Sequence, residues 1–193
     1  MNLSKGDSFM RVTDILIDEH RAIERVLSSL ERAAKRLHRG DEVYLRFFSG
    51  CNVFFKEFVE AYHHAREEQF LYPALVQHGV SNESGPVAVM LAEHEQGRYL
   101  NLLLGKATGQ FITGEMRKKD DVIKHAGLYI KLLRLHIYKE EHILAPLVDK
   151  IIPTDEQERI THAFNSFGQL ETGEDIHEKY FGLSERLEKE SVR

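Results

Sequence analysis

HHAREEQFLYP (residues 63–73) and HIYKEEHILAP (residues 136–146) are the two stretches that decide the fold of this 193-residue chain. Each has the form His-x-x-x-Glu-Glu, followed by an apolar patch and a proline. Residues four apart on an α-helix lie on the same side, one turn apart. Each stretch therefore predicts a helix that presents an imidazole and a carboxylate in the same direction. Two such helices can together offer two imidazoles and two bridging carboxylates to a pair of metal ions.

Four long helical stretches run between the few prolines and glycines of the sequence. Their apolar residues recur at spacings of three and four, which is typical of amphipathic helices. They cover about residues 9–37, 42–77, 87–113 and 115–150. No strand pattern with a period of two is present in the sequence. Four such helices with short connections predict an all-α fold, an antiparallel up-down-up-down four-helix bundle.

The sequence after the fourth helix is polar. Pro153 opens two further helical stretches, at about residues 156–170 and 175–190. We therefore predict a bundle domain at residues 1–150 and a C-terminal helical extension at residues 151–193 that packs on it. Asp41, which follows a glycine, is predicted to cap the second helix.

Composition and charge argue against several classes of function. A nucleic-acid partner favours a basic surface, whereas the net charge of this chain is −5. The chain has no apolar run of roughly 18 residues, so no membrane span is predicted. The start of the sequence lacks the apolar core of a secretory signal. Cys51 is the single cysteine and cannot form an internal disulfide. These features predict a cytoplasmic protein.

Two of the 11 histidines lie outside the two repeated stretches, each at nearly the same distance before one of them. His20 follows Asp-Glu on the first predicted helix, and His94 follows Ala-Glu on the third. His20 and His63 are 43 residues apart, and His94 and His136 are 42 residues apart. The chain thus resolves into two helical hairpins, each with one histidine on its first helix and His-x-x-x-Glu on its second. This pseudo-twofold pattern suits a two-metal site.

Helical counting separates inward from outward residues in the repeat. Glu67 and Glu140 fall on the apolar side of their helices, together with the histidine four residues before them. Ile143 is predicted on the same apolar face. His64 falls about 100° away, toward the polar flank. Like His142, it could orient a ligand, but a solvated position is the prediction for both. His125 also faces inward and is predicted as a core residue, with a place near the site left open.

A single histidine on an apolar helix face is more often a hydrogen-bonded core residue than a ligand. Four of them on four helices, two with an inward glutamate, fit that explanation poorly. A buried carboxylate pair without counter-charge is costly or stays protonated, and a divalent metal removes the conflict. Imidazole with bridging carboxylate and no thiolate favours iron or manganese over structural zinc. A metal-free helical interaction protein is the remaining alternative.

These residues resemble the hemerythrin-like (HHE cation-binding) family. The resemblance rests on the two repeated stretches and on GPVAVMLAEH (residues 85–94), and it covers about residues 10–150. It implies an up-down-up-down bundle with a non-haem di-iron centre in which both glutamates bridge. Carried over motif by motif, the iron ligands implied are His20, His63, Glu67, His94, His136 and Glu140.

The sequence departs from the oxygen-carrying hemerythrins at two places. Those proteins have a further histidine four residues after the one matched by His94, and an aspartate ligand five residues after the one matched by His136. Arg98 and Glu141 stand at these positions. The site is in this respect similar to that of bacterial proteins that repair iron centres under nitrosative stress. Those proteins carry an N-terminal cysteine-bearing domain, whereas this chain begins at the first bundle helix, so repair chemistry that needs that domain is not expected.

Two functions therefore compete. The first is a di-iron protein that reacts with or senses a small oxidant, namely oxygen, nitric oxide or peroxide, because six protein ligands for two metals leave positions open. The second is an iron- or oxygen-responsive regulatory module without turnover, with the polar tail after Pro153 as its output element. No general base, catalytic triad or phosphate-binding loop is recognisable in the sequence. We therefore assign no catalytic residue, substrate or protein partner from it.

Overall fold

The computed structural model describes residues 10–167 and 176–192. Within these two ranges the chain forms six helices and no strand, which confirms the all-α prediction. The helices are α1 (Val12–Arg39), α2 (residues 46–77), α3 (Gly85–Ile112), α4 (residues 119–151), α5 (Thr154–Phe167) and α6 (Ile176–Glu190). A short 3-10 turn, Met116–Lys118, precedes α4. The predicted helix ends at residues 9, 170 and 175 lie outside the described residues.

Wide π-helical turns interrupt α2 and α4. They cover Phe55–His64 and Glu67–Leu71 in α2, and Glu140–Leu144 in α4. The two short turns are equivalent: each begins at a glutamate of the repeat, and the amide of the residue before the proline donates to the carbonyl of that glutamate. Proline lacks an N–H and its ring crowds the carbonyl four residues earlier, so Pro73 and Pro146 favour a wider turn at these places.

The wide turns change which residues face the core. Ile143 was predicted on the inner face of its helix, but 52% of its surface is exposed, whereas Leu144 is only 2% exposed. A π-helical turn holds more residues than an α-helical one, so the inward face moves toward the C terminus within it. The prediction for Ile143 was wrong because α-helical counting was carried through this turn.

The connection between α1 and α2 also differs from the prediction. Gly40 ends α1 in the left-handed region, with φ of 86°, where a residue without a Cβ is favoured. Asp41 was predicted to cap α2, but α2 begins at Arg46. The Asp41 carboxylate instead accepts hydrogen bonds from Arg39. The prediction was wrong because a cap serves only the first turn of its helix, and this helix starts too far along the chain.

The core lies between α1, α2, α3 and α4. Its centre is aromatic, with Phe55 packed on Tyr129 at a ring distance of 4.5 Å. The C-terminal helices cover this bundle: α5 contacts α1 and α2, and α6 also contacts α1 and α2. Phe164 of α5 and Leu187 of α6 are buried in these contacts. In the part of the chain described by the structure, no helix is both long and apolar enough to cross a membrane.

Candidate metal centre

The six residues predicted to bind metal are all buried, and the structure brings them together. Their ligand atoms form two adjacent groups, and within each group these atoms lie within 4.8 Å of one another. The groups are His64, Glu67, His94 and His136, and His20, His63 and Glu140. Apart from His64, these are the residues expected from the sequence.

His64 was predicted to be solvated, and that prediction was wrong. Its exposed fraction is 2%, and its ring stacks on His94 with the centroids 3.7 Å apart. His64 ends the long π-helical turn Phe55–His64, in which the extra residue per turn lets two consecutive histidines face inward. Burial first, and then the neighbouring imidazole of His94, hold the pKa of His64 well below its ordinary value. The described part of the site thus offers five imidazoles.

Each of the two inward carboxylates lies between the two groups. Glu140 places Oε2 3.0 Å from Nε2 of His20 and Oε1 3.3 Å from Nε2 of His136. Glu67 places Oε2 3.4 Å from Nε2 of His94 and Oε1 4.0 Å from the imidazole four residues earlier in α2. A carboxylate that directs one oxygen to each group has the geometry needed to bridge two ions.

The pKa values of the buried ionisable groups in the site are shifted in opposite directions. Burial, and then repulsion from Glu140, raise the pKa of Glu67 well above its ordinary value. Burial acts in the same direction on Glu140, but His136 and His20 outweigh it and hold the pKa of Glu140 well below its ordinary value. Burial disfavours protonation of His136, yet Glu140 and Glu93 raise its pKa to about 9. A bound cation would displace protons from these groups.

Several buried polar atoms of the site make no hydrogen bond to any described residue. They are Nε2 of His20, Nδ1 of His64, Oε1 of Glu67 and Oε2 of Glu140. The His20 and Glu140 atoms are 3.0 Å apart but do not meet the geometry of a hydrogen bond. An unsatisfied buried polar group costs roughly 1–3 kcal/mol. Such a cluster of imidazole and carboxylate atoms, with no thiolate, fits a pair of iron or manganese ions.

A ring of outer carboxylates orients four of the imidazoles. In each case Nδ1 of the histidine donates to a carboxylate, so that Nε2 is turned into the site. Each helix supplies the carboxylate for the histidine of the next one: α1 for α2, α2 for α3, α3 for α4, and α4 for α1. The pairs are Glu19 with His63 at 2.7 Å, Glu68 with His94 at 2.7 Å, Glu93 with His136 at 3.1 Å, and Glu141 with His20 at 3.0 Å.

These four supporting carboxylates were not assigned a role from the sequence. The signal was present, because each is the chain neighbour of a predicted ligand. Glu19 and Glu93 directly precede a histidine, whereas Glu68 and Glu141 directly follow a bridging glutamate. Adjacent residues on a helix point about 100° apart. The neighbour of a ligand therefore faces the next helix, where another histidine needs a partner.

Glu19, the carboxylate that supports His63, is the most deeply buried of the four supporting carboxylates. Arg66 is 1% exposed, and its guanidinium contacts both carboxylate oxygens of Glu19. The same guanidinium lies 3.8 Å from the ring centroid of Tyr62 and 4.7 Å from that of Phe164 on α5. Burial alone would raise the pKa of Glu19, but the hydrogen bond from His63 and the charge of Arg66 hold it below its ordinary value. Helix α5 thus closes over a charge pair that positions a ligand.

Comparison with known proteins agrees with this geometry. The family model of the hemerythrin HHE cation binding domain matches residues 11–148. The chain belongs to this family. Two relatives of this HHE-domain chain are the uncharacterized proteins Rv1995 of Mycobacterium tuberculosis and Mb2018 of Mycobacterium bovis. Each is 23% identical over 159 residues, a stretch that covers 82% of this chain.

The chain spans 62% of the length of these relatives. No solved structure matches it. Among the remaining histidines, His142 is exposed and stacks on Tyr138, as expected for a solvated residue, and His125 is half-buried. Neither belongs to the two groups of ligand atoms.

Proposed function

We propose that this hemerythrin HHE domain binds two iron ions and reacts with or senses a small oxidant: oxygen, nitric oxide or peroxide. The observation that carries the proposal is the pair of adjacent ligand groups with Glu67 and Glu140 directed at both. A bound pair of irons would supply one- and two-electron redox chemistry. The chain would hold the irons close together and exclude bulk water from them.

The two groups are unequal in their imidazoles, and we assign them to different irons. One iron would be held by His64, His94 and His136, and the other by His20 and His63, with both glutamates shared. The two-imidazole half keeps more positions open for an external ligand. A pocket with room for about one water-sized molecule adjoins His20 and Glu140. Its wall is largely apolar, with Leu16, Leu71, Leu144 and Val148. These features favour a small, neutral ligand.

The test is metal content combined with optical spectra. Purified protein should contain about two irons per chain, with charge-transfer bands that change on addition of azide, nitric oxide or peroxide. His63→Ala should lose iron, whereas His142→Ala, a change at an exposed histidine, should keep it. Two results would contradict the proposal: folded protein that takes up no iron, or iron spectra that do not change on addition of azide, nitric oxide or peroxide.

A regulatory module without turnover is the second candidate, and the contact between α5 and the site favours it. Phe164 covers Arg66, which pairs with Glu19 and so reaches His63. Metal binding stabilises the conformation that binds it, so occupancy would tighten α5 on the bundle. Amide hydrogen exchange in residues 154–167 should slow when iron is bound. Equal exchange with and without iron would remove the support for this candidate.

The remaining expectations stay predictions. These are the cytoplasmic location, the absence of nucleic-acid and membrane partners, and the likeness to the iron-centre repair proteins. The relatives that match this chain are longer than it, so the activity of any whole protein that contains such a domain is also a proposal.

A further inference from the structure

Tyr72 is a buried residue whose hydroxyl lies inside the metal centre. Its exposed fraction is 2%. The hydroxyl oxygen is 3.1 Å from Oε1 of Glu140, 3.4 Å from Oε2 of Glu67 and 3.4 Å from Nε2 of His94. The phenol is therefore in contact with both carboxylates that we propose as bridges and with one imidazole.

The atoms around this hydroxyl are also close to one another. Nε2 of His94 lies 3.2 Å from Nε2 of His136 and 3.4 Å from Oε2 of Glu67. Oε1 of Glu140 lies 3.3 Å from Nε2 of His136. Neighbouring ligand atoms around an octahedral ion with bonds of about 2.1 Å are about 3.0 Å apart, √2 times the bond length. These four atoms and the oxygen of Tyr72 are thus spaced like corners of one coordination shell.

The position of Tyr72 follows from the π-helical turn that precedes it. Its backbone amide donates to the carbonyl of Glu67, which closes the wide turn and places the ring beside that glutamate. In the second stretch of the repeat, Ala145 closes the equivalent turn on Glu140. Alanine has no hydroxyl, so of these two equivalent positions only the one in α2 offers an additional oxygen to the site.

We propose that Tyr72 is a phenolate ligand of the metal ion held by His94 and His136. This inference rests on the proposed function, because it requires that ion to bind. On binding the ion, Tyr72 would release its phenol proton to solvent, and the oxygen lone pair would form the bond to the metal. Proton release on ligation is general for protonated ligands. No electron is transferred in this step.

The proposal gives the two halves of the centre different roles. With His64, His94, His136, Glu67, Glu140 and Tyr72, one ion would have six ligands and no open position. The other ion would have His20, His63 and the two shared glutamates. An external ligand would then bind on the side of His20, where the small apolar pocket lies.

Spectroscopy of the iron-loaded, oxidised protein tests this directly. We expect a visible phenolate-to-iron(III) charge-transfer band, with tyrosinate ring modes in the resonance Raman spectrum excited within it. Tyr72→Phe should lose the band and the ring modes while keeping about two irons per chain. Tyr129→Phe is the matched control: Tyr129 is equally buried but packs on Phe55 in the core, so this variant should keep both signals.

Ring-deuterated tyrosine incorporated into the wild-type protein gives a second measurement that does not depend on whether a variant folds. The Raman ring modes should shift on deuteration. Two bound irons with no tyrosinate signal, or a signal that survives in Tyr72→Phe, would overturn the assignment of Tyr72 and leave the proposed function standing. Protein that binds no iron would overturn both.

Discussion

The two repeated stretches, residues 63–73 of α2 and 136–146 of α4, have the same inner geometry but different surroundings. Each supplies a histidine, a bridging glutamate and a short π-helical turn closed before a proline. Each also carries a cation three residues after its histidine, Arg66 in one and Lys139 in the other. Each cation contacts the carboxylate that supports the histidine of its own stretch: Glu19 for Arg66, and Glu93 for Lys139.

Burial separates these two equivalent charge pairs. The side chains of Arg66 and Glu19 are 1% and 0% exposed, whereas those of Lys139 and Glu93 are 27% and 18% exposed. Helix α5 covers the first pair, with Phe164 packed on the guanidinium. Charges interact more strongly, and tolerate the loss of a partner less well, when they are removed from water. The repeat thus determines the inner site, and the C-terminal helices determine how much each outer pair contributes to stability.

The largest expected effect is a loss of iron, and it shows whether the two stretches contribute equally to the inner site. Glu67→Gln and Glu140→Gln each remove a negative charge directed at both ligand groups, so each should reduce the iron content from about two per chain to below one. Glu68→Gln and Glu141→Gln, at the neighbouring positions, should retain iron. Metal analysis after desalting measures this. Full iron content in either inner variant would break the equivalence.

The next largest effect is on the free energy of unfolding, and it compares the Arg66–Glu19 pair with the Lys139–Glu93 pair. Arg66→Gln leaves the buried Glu19 without its cation and should lower the free energy of unfolding by about 3–5 kcal/mol. Lys139→Gln removes the equivalent cation from a partly exposed pair and should cost below about 1 kcal/mol. Urea unfolding of both metal-free variants and the metal-free parent gives the comparison. Similar losses in the two variants would show that the cover by α5 has no energetic consequence.

The ligands that could be predicted from sequence are those fixed by α-helical periodicity. Spacing of four residues was enough to place His63 with Glu67 and His136 with Glu140 on the inside, since those relations survive the local geometry. His64 could not be placed, because the long π-helical turn that turns it inward has no proline or other local marker in the sequence. Such turns depend on how the helix packs against its neighbours.

The same limit applies to contacts between helices. The ring of supporting carboxylates joins residues far apart in the chain, and Arg66 is buried by Phe164, which stands nearly a hundred residues later. Helical counting gives the direction of a side chain but not the distance or tilt of the next helix. A glutamate beside a ligand can therefore be predicted to face sideways, although its partner cannot be named without the packing.

A third experiment tests the shift of phase in the short π-helical turn of α4. Leu144→Ala removes a buried side chain and should cost about 2–5 kcal/mol of stability. Ile143→Ala changes the neighbouring, half-exposed position and should stay within about 0.5 kcal/mol of the parent. Continuous α-helical geometry would place Ile143 on the inner face as well, so comparable losses in the two variants would contradict the shift. Urea unfolding of the two single variants thus distinguishes the two geometries.

The smallest expected effect concerns metal affinity. Glu19→Gln and Glu93→Gln keep the shape of the side chain but weaken the hydrogen bond that orients a ligating imidazole, which typically costs 10–100-fold in affinity, or about 1.4–2.7 kcal/mol. We expect Glu19→Gln near the upper end and Glu93→Gln near the lower end, because water can replace part of the bond at the more exposed carboxylate. Competition with a chelator of known affinity measures both variants, and urea unfolding of the metal-free forms separates affinity from stability. A greater loss for Glu93→Gln would mean that burial under α5 does not strengthen the outer pair of the α2 stretch.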